Sequence, residues 1–164
     1  MAPAQASLLA KLNTQERVRD FLTNAVASGR ASHAYLFLGA PGAGKLDAAW
    51  ALAQAFLCEQ DGCGSCDSCV RVARHTHPDV HYYTPESATG YLIAQTRELL
   101  DDVPLAPIRA KAKVYIIDRA EQLRANTANA LLKTLEEPPE GVMFILLGTS
   151  ADVMLPTIVS QSEE

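Results

Sequence analysis

The stretch Gly39-Ala40-Pro41-Gly42-Ala43-Gly44-Lys45-Leu46, set between the apolar run "AYLFLG" and the Ala- and Leu-rich "KLDAAWALAQAFLC", constrains this chain more than any other feature. A short aromatic and aliphatic run reads as a strand, alanine and leucine favour helix, and glycines between them permit a tight strand-to-helix turn. In such a turn successive backbone N–H groups point outward at the start of a helix. They can receive phosphate oxygens, whose charge a lysine neutralises. Gly39, Gly42, Gly44 and Lys45 meet that need. The pattern G-x-x-x-x-G-K-[ST] breaks at its last position, because Leu46 stands where a hydroxyl would hold a nucleotide's magnesium ion. A glycine-rich turn with no ligand is the alternative reading, and Leu46 strengthens it.

The rest of the chain supplies alternating elements. Val18, Phe21, Leu22 and Val26 recur at helical spacing over residues 15–28, with Gly29 as a stop. "VRVARHTHPD" reads as a helix stopped near His77-Pro78, "VHYY" as a strand, and Leu92, Gln95, Thr96 and Leu99 as one face of a helix before the Pro104 and Pro107 loop. "KVYIID" is a buried strand ending in an acid. "NTANALLKTLEE" is a helix capped near Asn126 and stopped by Pro138-Pro139, and "VMFILLG" is a second buried strand. Strands alternating with helices imply an α/β fold with a parallel sheet between helices, and 164 residues suit one domain spanning 1–164.

An acid at the end of a buried strand is the usual partner of a phosphate loop, since it orients magnesium. A glutamate commonly follows it and polarises the attacking water. Here Asp118 is followed by Arg119, whose guanidinium cannot take a proton from water. Glu121 lies two residues further on and is expected to point in another direction. Leu46 and Arg119 therefore remove two parts of one function: ATP and magnesium binding should be weak or absent, and hydrolysis absent. Asp118 acting only as a helix cap is the alternative.

All four cysteines fall in "CEQDGCGSCDSC", as Cys58, Cys63, Cys66 and Cys69. Short spacings with glycine and serine let a chain wrap a tetrahedral ion, and four thiolates leave no position open for water, so a structural zinc in an insertion over residues 58–69 is expected. Unrelated free thiols and a redox C-x-x-C are the alternatives, the latter not requiring the outer two cysteines. His75 and His77 are either spare ligands or solvent-facing, hydrogen-bonding side chains.

A formal charge of −5 argues against a fold that grips nucleic acid alone, so any DNA contact is expected to be shared with partners. The first residues lack a signal-peptide pattern and no apolar run approaches a membrane span, which predicts a cytoplasmic chain without membrane partners.

Taken in order, "SHAYLFLGAPGAGK", "CGSCDSC", "THPD", "VYIID", "NALLKTLEEPP" and "VMFILLGTS" resemble the N-terminal AAA+ P-loop domain of the bacterial clamp-loader family, the delta-prime and gamma/tau subunits of DNA polymerase III. The likeness runs from Gln15 to Ser160. Gamma/tau motors carry Ser or Thr after the loop lysine and a glutamate after the strand acid. Leu46 and Arg119 therefore side with the delta-prime branch, a stationary member whose neighbours turn over ATP. Thr149 matches the family's sensor position after the fourth strand.

The resemblance implies a non-catalytic subunit that helps load the sliding clamp onto primed DNA. It would belong to a DNA-directed polymerase holoenzyme, a nucleotidyltransferase, without ATPase activity of its own. The implied partners are delta and gamma/tau subunits, with the clamp and primed DNA met through the assembly. A serine-arginine-cysteine motif is expected after "LPTIV", but the chain reads Ser160-Gln161-Ser162, and the family's lid and C-terminal collar domains are expected to be absent from it. A gamma/tau-like ATP-hydrolysing motor, or a stand-alone zinc-bearing nucleotide module with no replication role, are the rival readings.

Overall fold

The structure is a computed structural model and describes residues 16–28, 34–39, 44–58, 63–88, 90–108, 110–123, 125–136 and 139–149. Its centre is a parallel sheet of β1 (Ala34–Leu38), β2 (Val80–Tyr83), β3 (Lys113–Ile117) and β4 (Val142–Gly148) in the order β1-β4-β3-β2. β3 and β4 occupy the middle, and every residue of both is buried. Covered on both faces, they read as near-continuous apolar runs rather than as alternating ones, with Lys113 at the start of β3 as the exception.

Register sorts the side chains into two cores. Tyr35, Ile145, Ile116 and Tyr82 form one row across the sheet, and Leu36, Leu146, Ile117 and Tyr83 form the next. Because successive residues of a strand face opposite ways, the two rows belong to opposite faces. The first face packs against α1 (Glu16–Ala27), α2 (Lys45–Leu57) and α3 (Asp67–Ala73). The second packs against α4 (Ile93–Asp102) and α5 (Ala125–Glu136), so the domain has three layers.

Nine of the thirteen residues of α2 are buried, and five of those nine are alanine. Small side chains on every side let α2 sit close to the sheet, α1 and α3 at once. Its buried Gln54 is satisfied by donating to the Cys69 carbonyl of α3 at 3.0 Å.

Two boundaries differ from the sequence reading. The helix expected to run to His77-Pro78 ends at Ala73, because His75 adopts φ 57° and closes a Schellman motif: its N–H donates to the Val72 carbonyl at 3.0 Å, and that of Thr76 to the Arg71 carbonyl at 2.9 Å. α5 begins at Ala125, which places Asn126 inside its first turn rather than ahead of it. Pro138 lies outside the described residues.

Candidate functional site

Open parallel sheets bind ligands beyond the carboxyl ends of their strands. At that end β1 leads through Gly39 toward α2, Asp118 follows β3, and Thr149 follows β4, so three adjacent strands deliver the predicted residues to one cleft. The cleft encloses about 550 Å³ and is lined by Gly44, Lys45, Leu46, Asp47, Asp118, Arg119, Glu121, Gln122, Leu147 and Thr149. Ala40, Pro41, Gly42 and Ala43, the middle of the predicted loop, lie outside the described residues.

Gly44 has φ 88°, a left-handed conformation that turns the chain into α2. The Lys45 ammonium donates to the carbonyls of Gly39 at 2.7 Å and Gly148 at 2.9 Å, pinning the loop to the ends of β1 and β4. Leu46 also packs against the core formed by α1, α2 and the sheet. The position that would hold a metal's hydroxyl ligand thus contributes apolar packing instead.

Asp118 is tied down from both sides. One carboxylate oxygen accepts the Tyr82 hydroxyl at 2.8 Å, and the other accepts the backbone N–H of Arg119 at 2.9 Å. Its own N–H donates to the Tyr83 carbonyl at 2.8 Å, and its carbonyl accepts the Tyr91 hydroxyl. Burial, and next the Asp118 carboxylate, push the Tyr82 hydroxyl above the ordinary tyrosine range, so it remains a donor. Among the described residues the carboxylate is bonded to Tyr82 and to the adjacent turn.

Arg119 has φ 47°, and its guanidinium donates to the Thr84 hydroxyl at 3.2 Å. The left-handed turn opens a 3₁₀ turn over Ala120–Gln122, which brings Glu121 back to the wall that Asp118 lines. Glu121 was expected to point elsewhere, and the structure corrects that. No side-chain pattern announces a left-handed arginine, so the sequence carried no signal for it.

The second site is the cysteine cluster. Cys58 lies just past α2, Cys63 and Cys66 lie in the loop, and Cys69 lies in α3, yet their sulfur atoms all fall within 4.8 Å of one another. The Cys63–Cys69 and Cys58–Cys66 sulfur pairs are 3.9 and 3.8 Å apart, far beyond a disulfide bond. Four thiolates about 2.3 Å from a tetrahedral zinc would be separated by ~3.8 Å, so the donor set fits such an ion.

Backbone N–H groups converge on the same sulfurs: those of Ser65 and Cys66 on Cys63, and that of Cys69 on Cys66. The hydrogen bonds from Ser65 and then Cys66 pull the Cys63 thiol down to about 6, whereas burial pushes those of Cys66 and Cys69 up. His75 and His77 are not part of the cluster. His77 is buried and its Nδ1 accepts the Asp79 N–H at 3.0 Å, while the exposed His75 stacks on Trp50.

No helix among the described residues is long and apolar enough to cross a membrane.

Comparison with known proteins places these features among relatives. Residues 14–164 match the family model described as DNA polymerase III, delta subunit. The chain is 40% identical over 152 residues to the DNA polymerase III subunit delta' of Bacillus subtilis, covering 91% of this chain and 46% of that protein. It is 42% identical over 151 residues to the DNA polymerase III subunit tau of Escherichia coli, covering 90% of this chain and 23% of the relative. The chain therefore spans half or less of the length of these relatives.

In fold, a DNA polymerase III gamma subunit-related protein of Thermotoga maritima superposes with a TM-score of 0.61 at 21% identity, over 87% of this chain and 43% of that one. The RuvB Holliday junction branch migration motor of the same organism superposes with 0.53 at 18% identity, over 90% and 42%. The fold is AAA+-like, a parallel sheet between helices, as the sequence reading expected.

Proposed function

The chain belongs to the DNA polymerase III delta-subunit family that its residues 14–164 match, and from that premise we propose that it is the AAA+ portion of a delta-prime-like, non-catalytic clamp-loader subunit. In the assembled loader it helps place the sliding clamp on primed DNA while neighbouring subunits turn over ATP. Its partners in this reading are the delta and gamma/tau subunits, and its compartment is the cytoplasm.

One observation carries the reading: Leu46 and Arg119 line the same cleft, where hydrolysis needs a metal-binding hydroxyl and a water-orienting carboxylate. Lys45, Asp118 and Thr149 line the same cleft, which supports reading it as the scaffold of a nucleotide site without its chemistry. With Gly39 and residues 40–44, they make a degenerate nucleotide site in which ATP and Mg²⁺ bind weakly or not at all.

The cysteine cluster serves in this reading as a structural zinc site. Zinc held by Cys58, Cys63, Cys66 and Cys69 would cross-link the end of α2 to α3, and four thiolates leave it no open coordination position.

The test is co-purification of this chain, within its full-length subunit, with delta and gamma/tau subunits. Stable co-elution in size-exclusion chromatography is expected. A subunit that stays apart from both partners contradicts the reading and favours a stand-alone nucleotide module.

A further inference from the structure

We propose that the cysteine module governs the strand-end acid from a distance: a metal held by its four thiolates fixes His75 on Trp50 and, through Trp50, the Tyr82 hydroxyl on Asp118. The element with two states is α3. Its seven residues are too few to hold a helix alone, because helices shorter than about 12 residues are marginal in water. Cys66 and Cys69 supply its N-cap and its first turn, and their sulfurs lie 3.8 and 3.9 Å from those of Cys58 and Cys63. A cation shared by the four thiolates docks the helix. Without it α3 keeps the Gln54 bond to the Cys69 carbonyl and the burial of Val72.

The far end of α3 carries the effect onward. His75 closes the helix in a left-handed turn, and its imidazole stacks on the Trp50 indole of α2. Trp50 is buried and meets the Tyr82 ring in turn, with centroids 6.0 Å apart. Tyr82 sits on the edge strand β2 and is 39% exposed, so burial alone does not hold its hydroxyl in place. Trp50 limits where that ring can lie. The hydroxyl donates to one Asp118 oxygen, and the other oxygen accepts the Arg119 N–H. When α3 lets go, His75 leaves the indole, the Tyr82 ring gains freedom, and Asp118 loses the first of these bonds.

The inference rests on reading the cysteines as a zinc site, and elemental analysis of each sample tells a missing metal from a failed relay. Trp50 is the chain's one tryptophan, so its emission reports the first contact. The Arg119 N–H, bonded to the Asp118 carboxylate, reports the last through its amide resonance. Removing zinc with a chelator is expected to shift the emission to longer wavelength, as the indole gains water, and to move the Arg119 resonance while β4 amides stay in place. Adding zinc back should restore both. His75→Gly keeps the left-handed turn without the ring, so it should show both changes with zinc bound and respond little to the chelator. In Tyr82→Phe, which lacks the hydroxyl, the emission should still respond and the Arg119 resonance should not. Protein that never held zinc, an emission or Arg119 resonance unmoved by zinc loss, β4 amides that move as far, or a folded His75→Gly that responds like the parent would each overturn the proposal.

Discussion

The imidazole of His75 lies flat on the indole of Trp50, with ring centroids 3.8 Å apart and planes 8° from parallel. His75 ends α3, the helix that carries Cys69, and Trp50 sits on α2, the helix that begins at Lys45. The stack therefore joins the cysteine module to the helix of the phosphate loop.

That contact accounts for a histidine at a left-handed position where glycine is usual. A non-glycine residue there costs roughly 1–2 kcal/mol, and a stacked aromatic pair returns about 0.5–1.5 kcal/mol. His75→Ala should lose the stack and keep the strain, lowering the unfolding free energy by about 1 kcal/mol. His75→Gly should lose the stack but relieve the strain, and remain close to the parent protein. Urea denaturation of the three proteins checks the order; His75→Gly less stable than His75→Ala would contradict it.

The cysteine module should carry one zinc per chain by elemental analysis, and a chelator should lower the melting temperature. Cys66 is also the N-cap of α3, its sulfur accepting the Cys69 N–H at 3.4 Å. Serine is a preferred cap, so Cys66→Ser preserves the cap while removing a metal ligand. Loss of zinc in this variant is expected. Full zinc content in Cys66→Ser, or none in protein folded with zinc present, would refute the site.

Asp79 is fully buried, and its two carboxylate oxygens accept the backbone N–H groups of Ile108 at 2.6 Å and Ala110 at 2.7 Å. It thereby fixes the loop that leads into β3. Removing the carboxylate leaves partly buried donors unpaired, each charge-assisted bond being worth about 1.5–3 kcal/mol. Asp79→Ala should cost about 3 kcal/mol in denaturant unfolding; a loss below about 1 kcal/mol would show that the loop holds itself.

Asp102 accepts the Tyr115 hydroxyl and lies 3.2 Å from His81 and 3.4 Å from Lys113. Burial pushes its carboxyl up, but the Tyr115 hydrogen bond with the His81 and Lys113 charges outweighs that and leaves it below the ordinary 3.8. The unfolded chain therefore takes up the proton first as pH falls. The stabilisation is complete above the ordinary carboxylate range and is lost as pH drops through the lowered folded value. Asp102→Asn should flatten the acid limb of stability against pH. An acid limb as steep as the parent's would assign it to other groups.

The strands were legible because β3 and β4 are buried on both faces, so their apolar runs needed no tertiary knowledge. The convergence of Lys45 and Asp118 followed from the strand-loop-helix context and the acid-ended strand, whereas Thr149 was named only through the family resemblance. What escaped depended on backbone shape: the left-handed His75 that stops α3 early, and the left-handed Arg119 that returns Glu121 to the cleft. The Tyr82–Asp118 bond links residues 36 apart in sequence and exists only because β2 and β3 are neighbours.

We propose that this cleft keeps the form of an ATP site without its turnover. Phosphate release by the purified protein, with Lys45→Ala as the blank, tests it most directly. The metal's hydroxyl and the water-orienting acid serve one transition state, so restoring either alone, by Leu46→Thr or Arg119→Glu, should not rescue turnover. The account predicts parent activity indistinguishable from Lys45→Ala with magnesium present. Lys45-dependent release at the rate of an ordinary clamp-loader motor would contradict it and make this chain a gamma/tau-like ATPase.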